Sequence, residues 1–539
     1  MKYLALGAVA ISVTLLGAHA RAEVDDEDDA PSSKSKATKA DTTKAEPSAR
    51  PAASDDSVKA DPEAKVTEEH DEATPPPAAA AELTPTPQRA PIYGKRGDWF
   101  MAPYGYARLD EIEDSTESFE DGIQPNLIQR AGTYRGDHRR NIATARDSRL
   151  GMFVGAPTYQ GIRSSAQIEL DFYGLVPSDA RRHDSVVFGP LRIRLAYMKL
   201  ETPIVDVIAG QYYDLFGWNG SFYPMTVAYL GVPAEIYHRN PQLRIEKHLH
   251  LGQLEVVAAV AAVRPGQRDS GLPEGQAGLK ISYGGWAGAA TPGFGRPALS
   301  PISLGVSALY RAFEVPVFRS EPGSASQKTF GYGVAAQALL PIIPIKTILD
   351  RGNSLTLTGE YSIGTGIADM YTFMDGGSRF PLLPNPSTVM PVTYAANVDP
   401  GLVTFDRNLD VKTINWQAFV AGLQYYLPVD KGRIWLAGIY SRAWSNNIKD
   451  LTPFPSWGGI FTKMEYFDAN LGFDITPSVV LGLSFQSVKQ TFGDVSPQTP
   501  NFDVIHSDML GGGLGVAGTG GIAAHARNNR AQLSMSFFF

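Results

Sequence analysis

From Trp99 to the end of the chain, apolar and polar residues alternate in short runs with a period of two. Within Arg163 to Tyr173, Ile168, Leu170 and Phe172 alternate with Gln167, Glu169 and Asp171. Leu191, Ile193, Leu195 and Tyr197 alternate with Arg192, Arg194 and Ala196, and Leu355, Leu357, Gly359, Tyr361 and Ile363 with Ser354, Thr356, Thr358, Glu360 and Ser362. Val479 to Gln486 repeats the pattern. Successive strand side chains point to opposite faces, so each run predicts a strand with one apolar and one polar face. A soluble sandwich alternates too, and alternation alone does not separate the two. The breaks do. Pro203, Pro428 to Gly432 and Thr476-Pro477 mark tight turns, whereas 111 to 143, 215 to 238 and 376 to 410 are long. Short turns on one side and long loops on the other predict a transmembrane antiparallel β-barrel, all-β, of about sixteen strands. A barrel of that size leaves an aqueous channel.

The last strand sharpens this picture. In Arg530 to Phe539, Ala531, Leu533, Met535, Phe537 and Phe539 share one face, and Arg530, Gln532, Ser534 and Ser536 share the other. So apolar a terminus must be tied into something. It resembles the C-terminal signature of Gram-negative outer-membrane proteins, which implies barrel closure through Phe537 and Phe539. At the other end, Lys2, the apolar Leu4 to Leu16 and the small-residue sites Ala18-His19-Ala20 and Ala20-Arg21-Ala22 predict an export signal over 1–22. Beyond it no apolar run reaches the roughly 20 residues of a spanning helix. The best, Leu254 to Val263, contains Glu255. Without helices of that kind, only a closed barrel satisfies every backbone group in lipid.

Charge divides the chain. Residues 23 to 91 carry 17 acidic and 8 basic side chains, residues 92 to 539 carry 39 and 38, so the formal charge of -8 belongs to a tail. That tail has no aromatic residue, and it is rich in Pro, Ala, Ser and Thr. It is predicted to be a disordered periplasmic segment over 23–97, a spacer or a contact with cell wall or a protein partner. It lacks the heptads of a coiled coil. The barrel domain is 98–539. The chain has no cysteine, which removes disulfides and thiolate chemistry.

If the apolar positions face lipid, Arg108, Arg149, Arg192, Arg194 and Arg244 face the lumen, with Asp110, Glu169, Asp171 and Glu246 on the same walls. Arginines along a pore attract carboxylate or phosphate; they also pair with neighbouring acids and hold the wall together. The segment 215 to 238 follows the fifth predicted strand and holds Trp218, Phe222, Tyr223, Tyr229 and Tyr237. So aromatic a loop is expected to fold inward as a constriction or to pack on a neighbouring subunit. Gly513 to Gly518 has dinucleotide-type glycine spacing without the flanking strand and helix, and reads as a loop. His248-Leu249-His250 offers a metal pair without a third ligand nearby in sequence, and reads as a lumen or interfacial pair. No nucleophile-elbow spacing is present. No metal, cofactor or nucleic-acid partner is expected, and the chain is read as no enzyme.

Several segments then occur in a specific order: Tyr104 to Asp110, Ser148 to Gly151, Glu169 to Gly174, Leu191 to Tyr197, Gly210 to Tyr212 and Arg239 to Arg244. Together they resemble the first half of DcaP-type porins, a resemblance that covers roughly 104 to 247. It implies a trimeric sixteen-strand channel in the outer membrane of a Gram-negative bacterium, in contact with lipid and lipopolysaccharide. It further implies passive diffusion of small hydrophilic solutes, neutral or anionic, with carboxylates weakly preferred. Such porins are associated with an N-terminal coiled coil, where this chain has its acidic tail. The alternative is a structural barrel that anchors the envelope through 23–97.

Overall fold

A computed structural model describes residues 99–119, 128–174, 189–219, 222, 226–227, 232–268, 270–290, 298–316, 326–345, 347, 349–374, 397–399, 401–406, 408, 410–451, 461–492 and 523–539. The predicted signal 1–22, the acidic segment 23–97, Tyr223, Tyr229 and the glycines of 513–518 lie outside them. Among the described residues no helix is long and apolar enough to cross a membrane.

The chain begins with β1 (Phe100–Asp114), β2 (Arg140–Thr144), β3 (Arg149–Gly155), β4 (Arg163–Asp171), β5 (Arg192–Glu201) and β6 (Asp206–Tyr213). It continues with β7 (Arg239–Leu251), β8 (Leu254–Val263), β9 (Glu274–Ala290), β10 (Ala298–Pro316), β11 (Ser326–Ile343) and β12 (Leu355–Thr365). A small hairpin, β13 (Val403–Phe405) with β14 (Val411–Thr413), stands apart from the main sheet. The last five are β15 (Asn415–Tyr426), β16 (Ile434–Trp444), β17 (Phe461–Thr476), β18 (Val479–Phe492) and β19 (His525–Phe538).

Every pairing in the main sheet is antiparallel, and β19 returns to β1 in register from Tyr106↔Phe538 to Asp114↔Arg530. Because β2 pairs with the far half of β1 and β3 with its near half, the two occupy one position. The result is a closed barrel of sixteen positions. Closure leaves no unpaired edge. Phe539 completes it by exchanging backbone hydrogen bonds with Gly105, at 3.1 and 3.3 Å.

The alternation sorts as the sequence predicts. Along β19, Met535, Phe537 and Phe539 are exposed outward, while Arg530, Gln532, Ser534 and Ser536 are buried inward. The same holds in β4 and β12. Strand β5 differs. Opposite β4, Glu169 pairs with Leu195 and Leu170 with Ile193, so Arg194 is an inserted bulge residue. The phase flips there, and Leu195 and Tyr197 face inward beside Arg194 instead of outward. Gly210 of β6 accommodates this stretch at φ 127°, where a Cβ would strike the Ala196 carbonyl at 2.3 Å.

Connections alternate in length. Residues 156–162, 202–205, 252–253, 344–354, 427–433 and 477–478 turn the chain at one end, whereas 115–139, 172–191, 214–238, 366–414 and 445–460 link strands at the other, with 264–273 a shorter exception there. The first long break is shorter than the sequence suggests, since β1 runs to Asp114 and β2 starts at Arg140.

Candidate functional site

The loop between β6 and β7 is built to enter the barrel. Phe216 to Trp218 form a single tight turn in which Gly217 takes φ 80°. Phe216 N donates to Gln276 Oε1 at 2.8 Å and Gly217 N to Ser307 Oγ at 2.8 Å. Trp218 Nε1 donates to the Val306 carbonyl at 3.0 Å. The indole lies where β9 and β10 have Gly278 and Gly305, and a Cβ at either would come within 3.0 Å of it. Phe222 shares this seat, buried with Leu215, Val257 and Leu339. These glycines leave room for rings rather than for a turn.

From there the loop spans the interior. Thr226 Oγ1 donates to Asp468 Oδ2 at 2.6 Å and Val227 N to Asn470 Oδ1 at 2.7 Å, both on β17. The Val227 carbonyl accepts from Arg108 Nη2 of β1 at 2.6 Å. On the way back, Ala234 N and Tyr237 N donate to the carbonyls of Thr372 and Met370, and Thr372 N donates to that of Glu235. Ser441 of β16 donates to the Pro233 carbonyl, and Ile236 N donates to Glu360 Oε1 at 2.8 Å. Segment 370–372, nearly 140 residues downstream, therefore forms a short antiparallel pairing with the loop inside the barrel. Apolar packing covers the junction: Phe216, Val232, Ala234 and Ile236 join Phe313, Ile367, Met370, Tyr371, Trp416 and Tyr466 in one buried cluster. Burial drives the Glu235 carboxyl well above the usual range, and the facing Glu360 adds to the effect.

The opposite wall is polar. Arg108 forks onto Asp110 at 2.8 Å and reaches Asp147 at 3.4 Å. Arg194 bonds Glu169 at 2.7 Å, Asp171 at 3.1 Å and the Tyr237 hydroxyl at 2.9 Å. Arg149 approaches Glu169 at 3.3 Å, Arg192 bonds Asp171 at 2.6 Å, and Arg244 pairs with Glu246. All of these turn into the barrel interior, but they are not equally free. Arg108 and Arg194 are fully buried in their pairs, whereas the Arg192 side chain keeps 34 % of its surface exposed. Arg239, at the start of β7, stands 5.3 Å from the Tyr237 ring, a placement that no local sequence pattern signals. Tyr213 meets Tyr237 edge to face, with ring centroids 5.9 Å apart. Burial would raise the Tyr237 phenol, but Arg194, Arg239 and Arg149 outweigh it and hold it down at about 8. Trp218 and Phe222 thus anchor the loop, while Tyr237 lies at the edge of an arginine cluster.

No family model and no curated protein matches the sequence. Among solved structures, the outer-membrane channel DcaP of Acinetobacter baumannii aligns over 83% of this chain and 99% of its own, with 17% identity and a TM-score of 0.53. The anion-selective porin from Comamonas acidovorans aligns over 82% and 100%, with 11% identity and a TM-score of 0.42. OmpT of Vibrio cholerae aligns over 84% and 100%, with 11% identity and a TM-score of 0.40. At 17% identity the likeness to DcaP is one of fold. The chain has the sixteen-strand closed barrel of an outer-membrane channel, the fold that its resemblance to DcaP-type porins implies.

Proposed function

We propose that this chain is an outer-membrane pore through which small hydrophilic solutes diffuse passively, with a weak preference for anions. It is read as a channel and not as an enzyme. The observation that carries the proposal is the division of the interior. The described parts of loop 214–238 pack with segment 366–374 against the inner faces of β9 to β17, and the returning end of the loop sets Tyr237 among Arg149, Arg194 and Arg239, with Arg192 beside Arg239. Bound carboxylates offset part of that charge, so the arginine field is weak rather than strong. Arg192 and Arg239 are the residues assigned to contact solute, and the loop sets the width of the path.

The working unit is proposed to be a homotrimer in contact with lipid and lipopolysaccharide. On the outer face Tyr310, Phe330, Tyr332, Tyr361, Tyr440, Phe467 and Phe485 are exposed from β10 to β18. From β1 to β9 the exposed strand aromatics, Phe100, Tyr283 and Trp286, sit at the turn end, and Leu109, Leu150, Met152, Ile168 and Leu243 take the rest. Aromatic girdles mark the lipid interface. A wall without one on its loop side is suited to meeting another protomer, which supports β1 to β9 as the contact.

The test is the purified protein in a planar bilayer under a salt gradient. Discrete conducting steps with a reversal potential on the anion side are expected; a membrane that stays silent overturns the pore, and a cation-side potential overturns the preference.

A further inference from the structure

At the turn end of β5 to β8 the fold assembles a group that lies apart from the arginine cluster. Asp206, the first residue of β6, stands directly opposite Glu246 of β7 in the ladder. Two like charges so placed destabilise a strand pair, and Lys199 and Arg244 offset part of that repulsion here. His248, two residues on and on the same inner face, turns its ring towards both. Its Nε2 is 3.4 Å from Glu246 Oε2 and 3.7 Å from Asp206 Oδ2. One ligand atom from each of the three lies within 4.8 Å of the others. Its Nδ1 is 3.0 Å from Glu255 Oε1, on β8.

The Nε2 contact with Glu246 is a long hydrogen bond. A well-formed hydrogen bond would bring the heavy atoms to about 2.7–3.2 Å. Ligands held at about 2.1 Å around a tetrahedral ion stand about 3.4 Å apart, near the 3.4 and 3.7 Å that separate Nε2 from the two carboxylates. Glu255 accepts from Nδ1, and Nε2 faces the two carboxylates, where a bound metal ion would take the place of the Nε2 proton. A carboxylate behind the imidazole is how metal-bound histidines are commonly oriented. Glu246 is fully buried while the His248 side chain keeps 22 % of its surface exposed, so the group is firm on one side and open to water on the other.

Two basic side chains share the site. Lys199 Nζ is 3.3 Å from Asp206 Oδ2, and Arg244 pairs with Glu246. Both weaken the field that an incoming cation meets, and Lys199 competes for the Asp206 oxygen directly. We propose that Asp206, Glu246 and His248 form a binding site for a divalent transition-metal ion of the zinc class at the turn-side mouth of the barrel. Glu255 is a positioning residue, and Lys199 tunes affinity downward. The site does not depend on the pore reading, because its ligands stand on the strands themselves.

The test titrates zinc chloride into the full chain in detergent by isothermal calorimetry, with cobalt absorption as a second readout. One ion per chain is expected. His248→Ala should abolish saturable binding, Glu255→Gln should weaken it by about 10- to 100-fold, and Lys199→Met should tighten it. His250→Ala, whose ring is mostly exposed, should leave it unchanged. Wild-type protein that binds no zinc overturns the proposal, as does binding that survives His248→Ala in protein retaining the heat-modifiable mobility of a folded barrel. Should that variant fail to fold, Lys199→Met decides: affinity unchanged or reduced counts against the site.

Discussion

The inner faces of the two halves of this barrel solve opposite problems. From β1 to β7 many inward side chains are charged and held in ion pairs, as Arg194 is by Glu169 and Asp171, beside a small apolar cluster of Leu195, Tyr197, Ile208 and Tyr212. From β10 to β18 they are largely apolar at the loop end, with Phe313, Trp416, Ile439, Tyr466 and Phe492 buried against inserted chain. A barrel wall can therefore be wet or dry depending on what is laid over it. Polarity of the interior is decided strand by strand and not by the membrane.

The largest way to break this contrast is to remove the covering. Deleting 219–234, or crowding the indole seat with Gly305→Trp, should raise single-channel conductance severalfold, because the loop spans from β10 to β17. Unchanged conductance would mean that the open path runs elsewhere. Next in size is the division of labour among arginines. Arg108→Ala leaves Asp110 and Asp147 buried without their cation, and breaking such a pair costs about 3–5 kcal/mol. A large fall in the denaturant midpoint with little change in selectivity is expected. Arg192→Ala with Arg239→Ala should do the reverse and move the reversal potential towards cations; if anion preference survives both changes, the assignment of the exposed arginines is wrong.

A smaller effect comes from pH. Deprotonation of Tyr237 adds a negative charge to the arginine cluster, so anion preference should decline as pH rises through about 8. Tyr237→Phe should flatten that dependence, which reversal potentials measured from pH 6 to 10 would reveal. The smallest concerns the outer wall: Ile168→Arg should dissociate trimers while leaving the conductance of each barrel unchanged. If Phe485→Arg dissociates them instead, the lipid-facing and protomer-facing walls have been exchanged.

Much of this was legible along the chain, and the reasons differ from residue to residue. Period-two alternation fixes a face without any knowledge of partners, so β4, β12 and β19 could be oriented from sequence. The loop 215–238 was visible from its aromatics and its place after the fifth strand. Register was not. The bulge at Arg194 arises from how β5 meets β4, and no local pattern announces that Leu195 and Tyr197 will turn inward. Nor could a single segment disclose that Thr372 pairs with Glu235, or that Asp206 lies opposite Glu246. The arginines were found but not their degree of freedom, because whether a guanidinium is spent on a carboxylate depends on the neighbouring strand.

The inward loop also imposes an order in time. It is made before β9, β10, β12, β16 and β17, yet Gln276, Ser307, Glu360, Ser441 and Asp468 on those strands supply its partners. Until they arrive, a stretch containing Leu215, Phe216, Trp218 and Phe222 has nowhere to settle. Its seating is a late and long-range event, of the kind that slows folding. The moment the indole docks would be a natural marker that the cylinder around it has formed.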